Sequence, residues 1–478
     1  MKTNRLKSFM LIVLLIAITS AAMAYASGKG NRLFSKWSSR VPQQMPANSE
    51  IISVSGNLIQ NKVLYGSEGA VNLSLMLHAA EDLANQTQTD RNVDMVIVLD
   101  RSGSMKGKKI NDARQSILNL LSKLSDQDRI ALITYSEGVQ SDSGLLDLTR
   151  ANQHYLTSYV SGIMAGGGTD LGSGLQRGIN TLLARNRNGN NGKLILISDG
   201  LANRGITNPF DLGNMAGVAI EKEFSISTVG VGLDFNEHLM TTIADKGSGT
   251  YYFLENPAAF AEVFEKEFYY SKATVADSLA VSIPLKNGIT LVDAAGYPIQ
   301  YQNGAAIFHP GSMRAGQTRK LFLTLRIPTH VKQKFAIDPI AVSYFHNGQK
   351  HETALAGSFE IACVANRKEV VSSIDKLTWT EKVLQEDYNR LKQEIAGDLK
   401  AGKKNAALGR IEHYHREKEA LNAHVGSAAV AENLDKDLDE LRSVVEETFQ
   451  GAPAAVSRKQ KSNSKSLQYE GYGGRRHK

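Results

Sequence analysis

Apolar and polar positions change rhythm along this chain, and each rhythm predicts a different kind of element. Residues 51 to 82 alternate, as in Ile51-Ile52-Ser53-Val54-Ser55 and Val71-Asn72-Leu73-Ser74-Leu75-Met76-Leu77, with Gly66 and Gly69 between the runs. A period of two predicts antiparallel strands with one wet face. From Val93 the pattern becomes short continuous apolar runs, at Val93 to Leu99, Ile130 to Tyr135, Leu194 to Ser198 and Ile226 to Val231. Helical stretches lie near them: Lys109 to Leu124, with Ile110, Ala113, Ile117 and Leu121 on one face, then Leu171 to Ala184, Asn236 to Ala244 and Pro257 to Tyr270. Buried strands alternating with amphipathic helices predict a doubly wound α/β layer over residues 92–271, with a mostly parallel sheet and helices on both faces.

After Lys272 the short alternating runs return, at Leu279 to Ile283, Ile289 to Val292, Lys320 to Ile327 and Ile340 to Tyr344. Asn287-Gly288, Asn303-Gly304 and Asn347-Gly348 punctuate them, which predicts a β-sandwich over 272–365. Strand-like sequence on both sides of the α/β unit leads us to expect that residues 50–85 pair with the sandwich, so that the α/β unit is inserted in it. Residues 366–449 are charged and helical, with Leu377, Leu384, Leu391 and Ile395, then Leu434, Leu438, Leu441 and Val445, at helix-packing steps. Breaks near Gly397, Gly402 and Gly426 predict a helical hairpin or three-helix bundle rather than one long coiled coil. The basic, Ser- and Gly-containing stretch 450–478 reads as a disordered tail.

At the start of the chain, Lys2, Arg5 and Lys7 precede an uncharged apolar run from Phe9 to Ile18 and the small-residue stretch Ser20 to Ala26. The order predicts a secretory signal peptide at 1–26, followed by a polar linker at 27–49 broken by Pro42 and Pro46. The expectation is an exported protein, periplasmic, at the cell surface or secreted, with membrane association only if the signal segment stays uncleaved.

Composition narrows the chemistry. A single cysteine in 478 residues, Cys363, excludes a disulfide framework and thiolate metal clusters; it reads as a small buried hydrophobe. The formal net charge of +7 first suggests a polyanion partner, but the basicity sits at the ends. Residues 1–26 carry +3, 27–50 another +3 and 451–478 +6, leaving residues 51–450 at −5. A mildly acidic body gives no reason to expect nucleic acid.

The residues that carry chemistry cluster at predicted strand ends. The first strand of the α/β unit ends in Asp100-Arg101-Ser102-Gly103-Ser104-Met105, the loop Gly166-Gly167-Gly168-Thr169-Asp170 precedes a helix, and Ser198-Asp199-Gly200 leaves another strand. In an open parallel sheet the working crevice lies beyond the carboxyl ends of the strands. Asp100, Ser102, Ser104, Thr169 and Asp199 are therefore expected at one point. Oxygen donors alone select a hard cation, Mg²⁺ or Mn²⁺. Only two of the five groups are carboxylates, and if they act partly through bound water such a cation keeps unsatisfied positive charge facing solvent and seeks an outside carboxylate.

The Asp-x-Ser-x-Ser run, the Gly-Gly-Thr loop and the Ser-Asp-Gly strand end resemble the von Willebrand factor type A domain and its metal-ion-dependent adhesion site, over about residues 92 to 268. The resemblance implies Ser102, Ser104 and Thr169 as direct metal ligands, Asp100 and Asp199 acting directly or through water, and an acidic residue of a protein partner completing the shell. Flanking strands and a helical tail are similar to exported bacterial proteins resembling inter-alpha-trypsin inhibitor heavy chains. We therefore expect a non-enzymatic binding protein whose rim includes Arg101, Met105, Asp170 and Gly200. Asp170 also suits a helix cap.

Competing readings have weaker patterns behind them. Gly166 to Gly168 lacks the lysine of a phosphate loop. His413 and His415 are two apart on a predicted helix and point to different faces, against a zinc pair. Ser102 has no Gly-x-Ser-x-Gly elbow. Two alternatives from other classes are a structural subunit of a cell-surface or periplasmic assembly, and a hydrolase that uses the metal to activate water.

Overall fold

The computed structural model describes residues 51–81, 91–185 and 189–476. The segments read as signal peptide and linker lie outside the described residues.

Three strands come first: β1 (Ile52–Leu58), β2 (Lys62–Leu64) and β3 (Ala70–Ala79). The α/β unit follows with β4 (Val93–Asp100), α1 (Lys108–Leu121), β5 (Arg129–Tyr135), β6 (Val139–Asp142), β7 (Leu146–Asp147), α2 (Arg150–Ser161), α3 (Leu171–Leu183), β8 (Asn191–Ser198), α4 (Pro209–Glu221), β9 (Phe224–Val231), α5 (Glu237–Lys246), β10 (Ser248–Leu254) and α6 (Phe260–Lys272). Its sheet runs β10-β9-β8-β4-β5-β6, with β7 also on β5. The pairs from β10 to β5 are parallel, and β6 and β7 add antiparallel edges. Every residue of β4 and β8 is buried, because apolar side chains on both faces pack under helices. Leu99, Ile110 and Phe264 lie in the core on one face, and Val98, Leu175 and Leu239 in the core on the other.

The sandwich contains β11 (Thr274–Pro284), β12 (Thr290–Ala294), β13 (Gln300–Gln302), β14 (Ala305–Arg314), β15 (Thr318–Arg326), β16 (Lys334–Ile337), β17 (Ala341–His346), β18 (Gln349–Ala354) and β19 (Phe359–Val364). One sheet has the order β1-β3-β15-β12, another β13-β14-β11-β17-β18, and β2 joins β16 and β19. β3 lies antiparallel on β15, with Leu75 opposite Leu321. Strands from before and after the α/β unit thus share one core. Asn347 and Gly348 form the two-residue turn between β17 and β18, at φ 52° and 75°; a hairpin this tight needs a left-handed conformation at both positions.

The helical region follows with α7 (Arg367–Ser372), α8 (Lys376–Lys382), α9 (Tyr388–Lys400), α10 (Lys404–Val425), α11 (Ala428–Glu432) and α12 (Leu438–Thr448). π-helical turns at Val383–Asp387 and Asn433–Asp437 join α8 to α9 and α11 to α12. Asp387 is buried there among Lys382, Lys418 at 2.9 Å and Arg390 at 3.1 Å. Burial pushes its pKa up, but the three cations outweigh that and hold it well below the usual carboxylate range.

The described residues of the stretch 450–478, those up to 476, correct the sequence reading. They are not a disordered tail: Pro453–Arg476 forms a helix, α13, that packs against α9. Gly471 and Gly474, which look like low complexity, are contact points. A side chain at either would begin 2.4 Å from an atom of Asn389. Arg475 Nη2 donates to both oxygens of Asp293 at 2.7 and 2.8 Å, and Arg475 Nε to Glu386 at 2.8 Å. Arg476 donates to Asp245 at 2.9 Å. Tyr472 packs edge-on to Tyr251, centroids 5.5 Å apart, and donates to Asp245 at 2.8 Å. Its carboxylate partners come from the sandwich, the helical region and the α/β unit, so α13 ties all three together.

Candidate metal centre

Asp100 ends β4 at the seam where the strand order reverses. β4 has β5 on one side and β8 on the other, so connections leave in opposite directions and open a crevice beyond their carboxyl ends. Asp100 and Asp199 stand at those two ends, both buried.

Asp100 also shapes the loop it introduces. Its Oδ1 accepts the Ser102 backbone N–H at 2.7 Å, an Asx turn, and its Oδ2 accepts the Ser198 hydroxyl at 2.8 Å. Ser102 Oγ and Ser104 Oγ are 3.1 Å apart, and the Ser104 hydroxyl donates to Asp199 Oδ1 at 2.6 Å. The glycine loop is pinned alongside: Gly103 N–H donates to the Gly167 carbonyl at 3.0 Å and Gly166 N–H to the Arg101 carbonyl at 2.7 Å. Asn203 holds Thr169 by accepting its N–H at 3.0 Å and donating its own N–H back at 3.1 Å. A side chain at Gly200 would begin 3.5 Å from Ser104 Oγ and 3.8 Å from Thr169 Oγ1. The two hydroxyls border one space, and Gly200 keeps it open.

The donor set suits a small hard cation: the Ser102, Ser104 and Asp199 oxygens lie within hydrogen-bond reach in series, Thr169 Oγ1 borders the same space, and no sulfur or imidazole is among them. Among the described residues no three His, Cys, Asp or Glu side chains converge as a metal cluster. The hydroxyls therefore supply most of whatever coordination this point offers. Burial pushes the Asp100 pKa up to about 6, against the hydrogen bonds from Ser102 and Ser198 that favour its charged form.

Sequence reasoning gave no role to three residues here, although Ser198 stands in the Ser-Asp-Gly run. Lys109, on α1, places its ammonium on Asp199 Oδ2, 3.4 Å from the Ser104 carbonyl. Ser198 and Asn203 hold Asp100 and Thr169 from behind. Lys109 lies five residues past the Asp-x-Ser-x-Ser run, in the first turn of α1, and only the fold brings it back over Asp199.

The proposed rim needs correction at Met105. It is fully buried in the core under α1, because the 3₁₀ turn Gly103–Met105 rolls its side chain inward. Asp170 caps α3, accepting the Ser173 N–H at 3.0 Å and its hydroxyl at 2.7 Å, so its oxygens are engaged. Arg101 is half-buried, and among the described residues its Nε has no partner. Gly200 lines the crevice. Next to it, Leu201 lines the same crevice and is 58% exposed.

Residues 94–266 match the family model of the von Willebrand factor type A domain. Human inter-alpha-trypsin inhibitor heavy chain H4 is 29% identical over 43% of this chain and 23% of its own length. The uncharacterised Escherichia coli K12 protein YfbK is 30% identical over 40% of this chain and 33% of its own. The matches thus span about a quarter to a third of these relatives. A von Willebrand factor type A structure from Catenulispora acidiphila, 19% identical, superposes over 89% of this chain and 98% of its own with a TM-score of 0.63. An ArnB paralog, VWA2, from Sulfolobus acidocaldarius covers 87% and 98% at 17% identity and a TM-score of 0.51. Both likenesses are of fold.

Proposed function

We propose that Asp100, Ser102, Ser104, Thr169 and Asp199, within the residues 94–266 that match the von Willebrand factor type A domain model, hold a divalent cation, Mg²⁺ or Mn²⁺, through which the protein grips an acidic residue of a protein partner. The observation that carries this is the continuous oxygen chain from Ser102 through Ser104 to Asp199, beside the space that Gly200 leaves open. Ser102, Ser104 and Thr169 offer neutral oxygens; Asp100 fixes the Ser102 turn, Asp199 accepts from Ser104, and Asn203 holds Thr169. Asp100 and Asp199 match the charge of a divalent cation only in sum; where they act through water, its open side keeps a positive field, to which the Lys109 ammonium on Asp199 adds, and a partner carboxylate fills the last position. The exposed Leu201, which lines the crevice next to Gly200, gives the rim apolar surface to bury.

The role is binding without turnover, in an exported protein. Among the described residues no helix is long and apolar enough to cross a membrane. The test is thermal unfolding during Mg²⁺ titration: a cation that binds only the native state raises the midpoint with concentration. The wild type should show a midpoint that climbs with the logarithm of Mg²⁺ concentration once the site fills, reversed by chelator, and Thr169→Ala little or none. Matching curves for the two proteins reject the assignment.

A further inference from the structure

The space beside Gly200 widens into a cleft of about 740 Å³ whose far wall is α13. Ser104, Thr169 and Asp199 open into one end, while Ser457, Gln460 and Lys461 face it from the helix. The wall is fixed in place. Lys465 donates to the Phe235 carbonyl at 2.8 Å and to Glu237 at 2.7 Å, Lys461 to Asp234 at 2.7 Å, and Ser462 to Glu255 at 2.9 Å.

The charges lining the cleft are uneven. Four ammonium groups, from Lys109, Lys400, Lys461 and Lys465, face the carboxylates of Asp199, Asp234 and Glu237. A divalent cation adds two positive charges at one end. Among the described residues Lys400 and Lys461 each make one ion pair, to Glu237 and Asp234 at 2.7 Å, and their side chains are 60% and 54% exposed. An ammonium has three donors, so both keep donors turned to solvent.

We propose that this cleft is a second recognition subsite, taking an extended acidic segment of the partner protein. One carboxylate of the segment meets the cation, and a second, further along, meets Lys400 and Lys461 between α5, α9 and α13. The proposal rests on the metal reading above and adds the partner's chemistry: two spaced acidic residues on one strand-like segment. Charge complementarity favours this occupant over a basic or purely apolar one.

The test uses the full chain and fluorescent glycine–serine peptides carrying no glutamate, one, or two at increasing spacing, read by anisotropy in Mg²⁺ and in chelator. At one spacing the two-glutamate peptide should bind about fivefold tighter than the one-glutamate peptide, the scale of exposed ion pairs. Lys400→Gln with Lys461→Gln should bring it down to the one-glutamate level. Ser457→Glu, at an exposed position of the same wall, should do the same by repulsion; unfolding midpoints confirm that each variant is folded. A two-glutamate advantage that is absent at every spacing, or survives both variants, overturns the subsite while Mg²⁺-dependent one-glutamate binding remains. Loss of Mg²⁺ dependence from both peptides instead overturns the metal reading, and the subsite with it.

Discussion

The ammonium of Lys109 sits on Asp199 Oδ2 while the other oxygen of the same carboxylate accepts the Ser104 hydroxyl at 2.6 Å. The protein thus brings its own monovalent counter-charge to the place where a divalent cation is proposed. A cation arriving there meets like charge and competes for the same carboxylate. Lys109→Gln should therefore bind Mg²⁺ about tenfold tighter, a change of ~1.4 kcal/mol. Its cation-free form should unfold at lower temperature, since a buried carboxylate loses its partner. Calorimetric titration and thermal unfolding read the two effects separately; weaker Mg²⁺ binding in Lys109→Gln would make Lys109 a helper rather than a competitor.

Gly200 gives a steric test. Its backbone lies outside the left-handed region, and an added Cβ would make only ordinary contacts, so a larger side chain is tolerated by the chain. Gly200→Val should leave the cation-free unfolding midpoint within about 2 °C of wild type, a surface-like change of ~0.5 kcal/mol. It should remove most of the Mg²⁺-induced rise. A full Mg²⁺ response in this variant would place the cation elsewhere.

The site should also depend on pH. Burial raises the Asp100 pKa from 3.8 to about 6 in the folded chain. The folded state then holds more protons than the unfolded one between those values. Without cation, this group's contribution to stability is greatest below pH 4 and is lost as pH rises through 6. A cation needs the carboxylate, so its binding runs the other way. Apparent Mg²⁺ affinity should fall about tenfold from pH 7 to pH 5, because roughly nine-tenths of Asp100 is then protonated. Asp100→Asn should flatten that dependence; an unchanged slope would assign the proton to another group.

The helix α13 makes a prediction about stability. Arg476 is buried, pairs with Asp245 at 2.9 Å and lies over the Tyr472 ring, 3.9 Å from its centroid. Arg476→Ala strands a carboxylate and should cost about 3–5 kcal/mol in denaturant unfolding. Arg458→Ala, at an exposed position of the same helix, should cost less than ~0.5 kcal/mol. Equal effects would mean that α13 does not tie the molecule together.

These residues also mark where sequence was informative. The strand carrying Asp100 was legible because a strand covered on both faces is apolar throughout, and the motif at its end needed no long-range information. The sandwich was legible from alternation and from Asn-Gly turns that few other conformations accommodate. Arg475 and Arg476 were not, because their carboxylate partners Asp293, Glu386 and Asp245 lie at least 89 positions away. A basic stretch without its acids reads as a solvated tail. Met105 failed for a local reason: the residue after Ser104 would flank the ligand if the loop stayed extended, and a single 3₁₀ turn buries it.

The most direct measurement is the stoichiometry of Mn²⁺ binding by electron paramagnetic resonance, where the free ion's six-line signal disappears on coordination. Wild-type protein should withdraw one Mn²⁺ per chain, displaced by excess Mg²⁺, and Asp100→Ala should withdraw none at the same concentrations. Equal withdrawal by the two proteins, or none by the wild type, refutes a cation at Asp100, Ser102, Ser104, Thr169 and Asp199.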